Sequence, residues 1–221
     1  MKKIITSIAA CSLAVCALVS CGSKSDSAKG KKKTADIVGK WALSGVDNQE
    51  VESAGLIFHE NGNGSMYEDS SSMFHFEDEG FSLGGSVISN DYVKEEGDTV
   101  TVDVMGEKIL VMKKLGGNDG YYGKYSLEGG KLYDNFADSM KEETEQNGKP
   151  LDITLNFDGP HSELIFNNIF TYTIDDKKLN ISGSSSIFNS DGAALSGDYT
   201  INGDTLTITD SKKTDTLTRV E

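Results

Sequence analysis

From Gly39 to the last residues of the chain, apolar and polar side chains alternate with period two, and turn-forming residues recur every eight to twelve positions. This pattern predicts an antiparallel meander of short strands. The first half reads as eight of them: Lys40–Val46, Gly55–Glu60, Gly64–Glu68, Met73–Glu77, Phe81–Ile88, Asp91–Glu95, Thr99–Val104 and Lys108–Leu115. The second half reads as Tyr122–Leu127, Asp152–Phe157, Glu163–Phe166, Phe170–Ile174, Lys178–Ser182, Ser186–Phe188, Gly197–Ile201, Thr205–Thr209 and Asp215–Val220, with the run at 186–188 open to being a bulged continuation of its neighbour. Asn61-Gly62 and Asp78-Glu79-Gly80 supply the positive φ that tight hairpin turns demand.

The two halves are copies of one pattern. VGKWALSG (38–45) returns as YGKYSLEG (122–129), EGDTVTV (96–102) as NGDTLTI (202–208), and ILVMKKL (109–115) as DTLTRV (215–220). GLIFHENGNGSMY (55–67) and DITLNFDGPHSELIF (152–166) share an apolar run, a turn and a second run. Four matches in one order make an internal repeat. The Gly-rich stretch GGNDG (116–120) then divides the body into residues 36–116 and 117–221. Eight antiparallel strands in succession close into an up-and-down barrel, which leaves no exposed sheet edge. The fold class expected is all-β, two tandem small barrels.

The copies differ most after their first strand, where the second inserts GGKLYDNFADSMKEETEQNGKP. Leu132, Tyr133, Phe136, Ala137 and Met140 recur at helical spacing, and Gly148 and Pro150 end the pattern, so one amphipathic helix is expected at about residues 131–146. Such a helix lids a barrel or plugs it. Strands of five or six residues enclose little room, which favours the plug.

The first 35 residues change the picture. Lys2 and Lys3 precede an apolar or small stretch from Ile4 to Val19, the pattern of a secretory signal peptide and too short for a membrane span. Residues 22–35, GSKSDSAKGKKKTA, hold no large apolar side chain and read as a flexible tether able to reach about 50 Å at full stretch. The tether carries five lysines against Asp26. It acts either as a solubilising spacer or as a patch drawn to an anionic leaflet at about 1 kcal/mol per lysine. From Asp36 on there are 14 basic and 34 acidic side chains, a net charge of −20. A body so acidic is repelled by phosphate backbones and by a membrane surface, which argues against nucleic-acid binding.

The stretch Leu18-Val19-Ser20-Cys21 resembles the lipobox of bacterial lipoproteins. The resemblance implies cleavage after residue 20, with Cys21 as the first mature residue and the lipidation site. It also implies a lipid anchor on the extracytoplasmic face of a membrane in the bacterial cell envelope. Cys11 and Cys16 fall in the removed segment, so the mature chain would keep one thiol and no disulfide, cysteine zinc site or dithiol redox pair. Stable anchoring takes two or more acyl chains.

Gly39-Lys40-Trp41 resembles the Gly-x-Trp that opens the first strand of lipocalins, and Gly123-Lys124-Tyr125 repeats it with tyrosine. The whole repeat is similar to the small lipocalin-like domains of bacterial lipoproteins. In that family a basic side chain from the last strand covers the aromatic ring at the closed barrel end. The positions this implies are Lys114 for Trp41 and Arg219, the chain's single arginine, for Tyr125. Trp41 and Tyr125 are core aromatics in any case.

Chemistry-bearing constellations are sparse. His59, His75 and His161 lie in no metal-ligand spacing and near no nucleophile motif, and His59 and His75 alternate away from Phe58, Phe74 and Phe76, so they are expected in solvent. The acidic runs at 77–79, 95–96 and 142–143 fit no calcium loop, and no glycine-rich phosphate loop follows a strand. No cofactor or metal is implied, and an enzyme is not expected. The expected function is a membrane-anchored binding module for a small apolar molecule or a partner protein. The alternative is a structural or scaffolding lipoprotein whose filled barrels hold no ligand.

Overall fold

The structure, a computed structural model, describes residues 36–44, 50–141, 145, 150–183, 195–209 and 214–220. Cys21, the signal segment, the tether, the expected strand 186–188 and most of residues 142–149 lie outside the described residues.

Among the described residues the fold is mostly antiparallel β, with a helix between its tenth and eleventh strands. The strands are β1 (Gly39–Ser44), β2 (Glu50–Phe58), β3 (Asn63–Asp69), β4 (Phe74–Glu77), β5 (Gly80–Leu83), β6 (Ser86–Ser89), β7 (Val93–Glu96), β8 (Thr99–Val104), β9 (Glu107–Asp119) and β10 (Tyr122–Gly129). After the helix α1 (Lys131–Ser139) come β11 (Ile153–Asp158), β12 (His161–Asp175), β13 (Lys178–Gly183), β14 (Leu195–Asn202), β15 (Thr205–Thr209) and β16 (Thr214–Val220). Thirteen strands form one sheet in the order β13-β14-β15-β16-β1-β2-β3-β12-β11-β10-β9-β8-β7, with β12 also paired to β13, and β4-β5-β6 form a second sheet.

Three expected elements differ locally. The run 81–88 is two strands, because Gly84 and Gly85 take φ of 57° and 78° and turn the chain into a β5–β6 hairpin. The expected strand at 91–95 begins as a 3-10 turn, Asn90–Tyr92, with Ser89 Oγ accepting from the Asp91 N–H. Helix α1 ends at Ser139, where Met140 leaves helical geometry, and Lys141 and Glu145, still within the expected range, are again helical.

The larger correction concerns domain organisation. The expected boundary at 116–120 lies within β9, which runs through to Asp119. The described chain divides instead into one compact unit of residues 68–167 and another of residues 36–67 with 168–220. The crossings fall between Tyr67 and Glu68, in β3, and between Asn167 and Asn168, in β12. The expected strands Glu163–Phe166 and Phe170–Ile174 are the two halves of that one continuous β12. Each unit therefore takes its first three strands from one repeat and the rest from the other, the arrangement of a domain swap carried out within one chain.

The first unit holds β4–β11 and β12 up to Asn167. Phe157 packs edge-on against Phe74 and Phe76, with ring centroids 6.3 and 5.0 Å apart. Phe76 stacks on Tyr121 at 4.7 Å, and Phe136 of α1 meets Phe166 edge-on at 5.5 Å. The helix buries Leu132, Tyr133 Oη donates to the Leu151 carbonyl at 3.2 Å, and Lys131 ion-pairs with Glu107. The second unit repeats the aromatic cluster: Phe58 packs edge-on against Phe170 at 5.5 Å and Tyr172 at 5.0 Å. In register, Phe74 faces Leu83 and Phe76 faces Phe81, while Phe170 faces Gly183 and Tyr172 faces Ile181. The two trios thus occupy equivalent places, and each draws members from both repeats.

Glu68, half-buried just past one crossing, has its carboxyl pushed above the usual value by burial. Between the ordinary carboxylate pKa near 4.5 and the raised folded value, the native state binds more protons than the unfolded one, so this group lowers stability as pH rises. Glu68→Gln is expected to raise the urea midpoint at pH 7 and to lose that advantage below about pH 4. A pH series of urea unfolding curves checks it.

Candidate functional site: the two aromatic closures

Each unit sets the aromatic ring of its Gly-Lys-aromatic motif opposite a basic residue across the ladder. In the second unit Trp41 on β1 is fully buried, and its indole Nε1 donates to the Ile37 carbonyl at 2.8 Å. Directly across the ladder from it is Arg219 on β16. The guanidinium carbon lies 4.2 Å from the ring centroid, within the range of a cation–π contact. Its nitrogens donate to the Val38 carbonyl at 3.1 Å and the Asp36 carbonyl at 2.6 Å, so the planar fork binds the strand's entry as well as covering the ring. The backbone N–H of Arg219 donates to the Asp204 carbonyl at 2.7 Å.

The first unit repeats this with other residues. Tyr125 on β10 is fully buried and pairs in register with Lys114 on β9. The Lys114 N–H donates to the Asp98 carbonyl at 2.7 Å, the counterpart of the Asp204 bond in the matching EGDTVTV and NGDTLTI segments. The ammonium of Lys114 turns to Glu95 at 2.6 Å. Its pKa is held above the usual lysine value, first by the hydrogen bond to Glu95, against a smaller opposing effect of desolvation, and further by the charges of Glu95, Tyr125 and Asp98. Lys114 therefore stays charged throughout the neutral range.

Trp41, Lys114, Tyr125 and Arg219 do pair as aromatic and basic residues across the ladders, but with partners opposite to those expected: Arg219 faces Trp41, and Lys114 faces Tyr125. The reason is the exchange of strands. β1 pairs with β16, the last strand of the other repeat, and β10 pairs with β9, also of the other repeat.

Gly39 explains the first position of the motif. Its φ is +133°, and a Cβ there would stand 2.9 Å from an Arg219 guanidinium nitrogen. Gly123, its counterpart, has φ +120°. Gly39→Ala is expected to cost about 1–3 kcal/mol through backbone strain and displacement of Arg219, measured by urea unfolding.

Two of the three histidines depart from expectation. His59 and His75 are half-buried rather than in solvent: His59 Nε2 lies 2.8 Å from the buried Ser65 Oγ, and His75 Nδ1 lies 2.8 Å from the Ser71 carbonyl. A buried serine pair, Ser70 and Ser162, joins hydroxyl to hydroxyl at 2.8 Å, and Ser162 also donates to the Phe74 carbonyl. These groups satisfy one another. The serine pair had no signal in the periodicity, because a small polar residue at an inward position reads as a break in the pattern. Among the described residues no group of three acidic, histidine or cysteine side chains is placed to hold a metal ion. No protein-family profile matches the chain, and no curated protein or solved structure matches it. What the site offers is packing, with cation, ring and carbonyl groups tied to one another.

Proposed function

We propose that the protein is a lipoprotein of a bacterial cell envelope, held by acyl chains on Cys21 at the extracytoplasmic face of a membrane. In this reading its two β units are closed barrels, lipocalin-like in plan, filled by their own side chains. It acts by presenting an acidic surface to a partner protein. The lipobox-like LVSC stretch and the Lys-rich tether support the anchor. For the second unit, the run of pairings from β13 through β14, β15, β16, β1, β2 and β3 to β12, and from β12 back to β13, supports closure.

The observation that carries the filled-barrel reading is the packing of the interior. Trp41, Phe58 and Phe170 in one unit, and Phe74, Phe76, Phe81, Tyr125 and Phe157 in the other, are all at most 2% exposed. Rings at 5–6 Å centroid separations leave their neighbours in van der Waals contact, which is core packing. A surface of net charge −20 is suited to a partner with a basic face.

The test uses the chain from residue 22 on with a neutral apolar fluorescent probe, N-phenyl-1-naphthylamine, and photo-cross-linking of the anchored protein in cells. The expected result is no saturable probe binding and a discrete protein adduct. Saturable 1:1 probe binding without any adduct would replace the docking role with that of a small-molecule carrier.

A further inference from the structure

The Asn167-Asn168 step in β12 carries more than a crossing between units. β12 pairs with β11 from His161 to Phe166 and with β13 from Phe170 to Asp175, so both ladders stop at residues 167–169. Asn168 has φ +53°, a left-handed conformation inside a strand. In sequence, ELIF and IFTY are two strand-like runs separated by two asparagines, the residues after glycine that best accept the positive φ of a two-residue hairpin turn. In the continuous strand both are tied down. Asn167 N–H donates to the Asp152 carbonyl at 2.8 Å, Asn167 Nδ2 donates to Thr154 Oγ1 at 2.8 Å, and Asn168 N–H donates to Ser65 Oγ at 3.3 Å.

We infer that Asn167-Asn168 is a hinge with two settings: continuous, giving the exchanged units seen here, and folded back as a hairpin, giving a tandem form in which each repeat closes on its own strands. The repeat makes the two forms nearly equivalent in contacts. Trp41 faces Arg219 as Tyr125 faces Lys114, and Leu43 faces Leu217 as Leu127 faces Met112. In the tandem form β1 pairs with β9 and β10 with β16, at the same register and with the same kinds of side chain opposed. The switch needs the other crossing, Tyr67–Glu68 in β3, to turn back as well, so the balance rests on the two crossings and on which cation lies opposite which ring. Arg219 on Trp41 favours the exchanged form, because a guanidinium fork satisfies the Val38 and Asp36 carbonyls while covering the indole, and the single ammonium of Lys114 cannot do both. Packed elements with two discrete arrangements of similar energy behave as switches.

The experiment uses the chain from Cys21 to the end with Cys21→Ala, so that introduced cysteines are the only thiols. The pairs Ala42→Cys/Thr218→Cys and Ser126→Cys/Lys113→Cys report the exchanged form, since these positions face each other across its ladders. Ala42→Cys/Lys113→Cys and Ser126→Cys/Thr218→Cys report the tandem form. Each protein is refolded from urea at submicromolar concentration, oxidised and read by non-reducing gel and peptide mass spectrometry. With the natural hinge, disulfides are expected in the exchanged pairs. Asn168→Gly, which creates the strongest two-residue hairpin signal, is expected to raise tandem-pair disulfides at least tenfold. Arg219→Lys, which makes the two cations alike, is expected to raise them in the same direction and serves if Asn168→Gly does not refold. Exchanged-pair disulfides alone in both variants, or disulfides only between chains, would overturn the inference.

Discussion

Cys21→Ser is expected to move the protein from the membrane fraction to the soluble fraction and to abolish its labelling by radioactive palmitate. The argument is chemical. Attachment of a diacylglyceryl group to the side chain needs the thiol as nucleophile and forms a thioether, and a serine hydroxyl at the same place does not substitute for it. The stretch preceding Cys21 has the charge, apolar length and small residue that the lipobox resemblance requires. Loss of two or more acyl chains removes about 0.8 kcal/mol per buried methylene, far more than five tether lysines supply. Fractionation and labelling unchanged by the substitution would remove the anchor from the account. The folded body, with its net charge of −20, has no attraction of its own to an anionic leaflet.

Phe157→Ala is expected to destabilise the protein by about 3–5 kcal/mol, the cost of removing a fully buried aromatic ring. Phe157 is 1% exposed and meets three rings: Phe74 at 6.3 Å, Phe76 at 5.0 Å and Tyr125 at 5.8 Å. Removing it leaves a cavity bounded by aromatic faces and edges, which cannot collapse without shifting the β10–β11 and β4–β5 pairs. Phe58→Ala, the equivalent in the other unit, loses edge-on contacts to Phe170 and Tyr172 and is expected to cost a similar amount. Guanidinium unfolding followed by circular dichroism reads both. A loss under about 1 kcal/mol in either would mean that the interior is not close-packed.

The strands were legible because period-two alternation is a local property: Thr99–Val104 and Thr205–Thr209 lie where the apolar pattern puts them. The glycine of each Gly-x-aromatic motif and the basic residue opposite were legible through the resemblance. Their partnership was not. Trp41 fits opposite Lys114 or Arg219 at the same register, and nothing within either repeat distinguishes the two. The choice is made by the path of the chain through residues 167–169. A pair of asparagines between apolar runs signals a turn, but here Ser65, Asp152 and Thr154 bind the two residues within a continuous strand. Those three partners come from elsewhere in the chain, so a local reading ended one strand at 166 and began another at 170. The serine pair and the half-buried histidines were hidden for a related reason: Ser65 and Ser162 sit at inward positions where a polar residue is tolerated only because a partner arrives from a distant segment.

The chain has one tryptophan and one arginine, so their contact can be assigned without ambiguity. The most direct measurement of the strand exchange is the set of nuclear Overhauser effects from the Trp41 indole ring in the folded protein. Cross-peaks to the Arg219 side chain and to Leu217 are the expected result. Cross-peaks to Lys114 and Met112 in their place would contradict it, and would give each repeat its own closed unit.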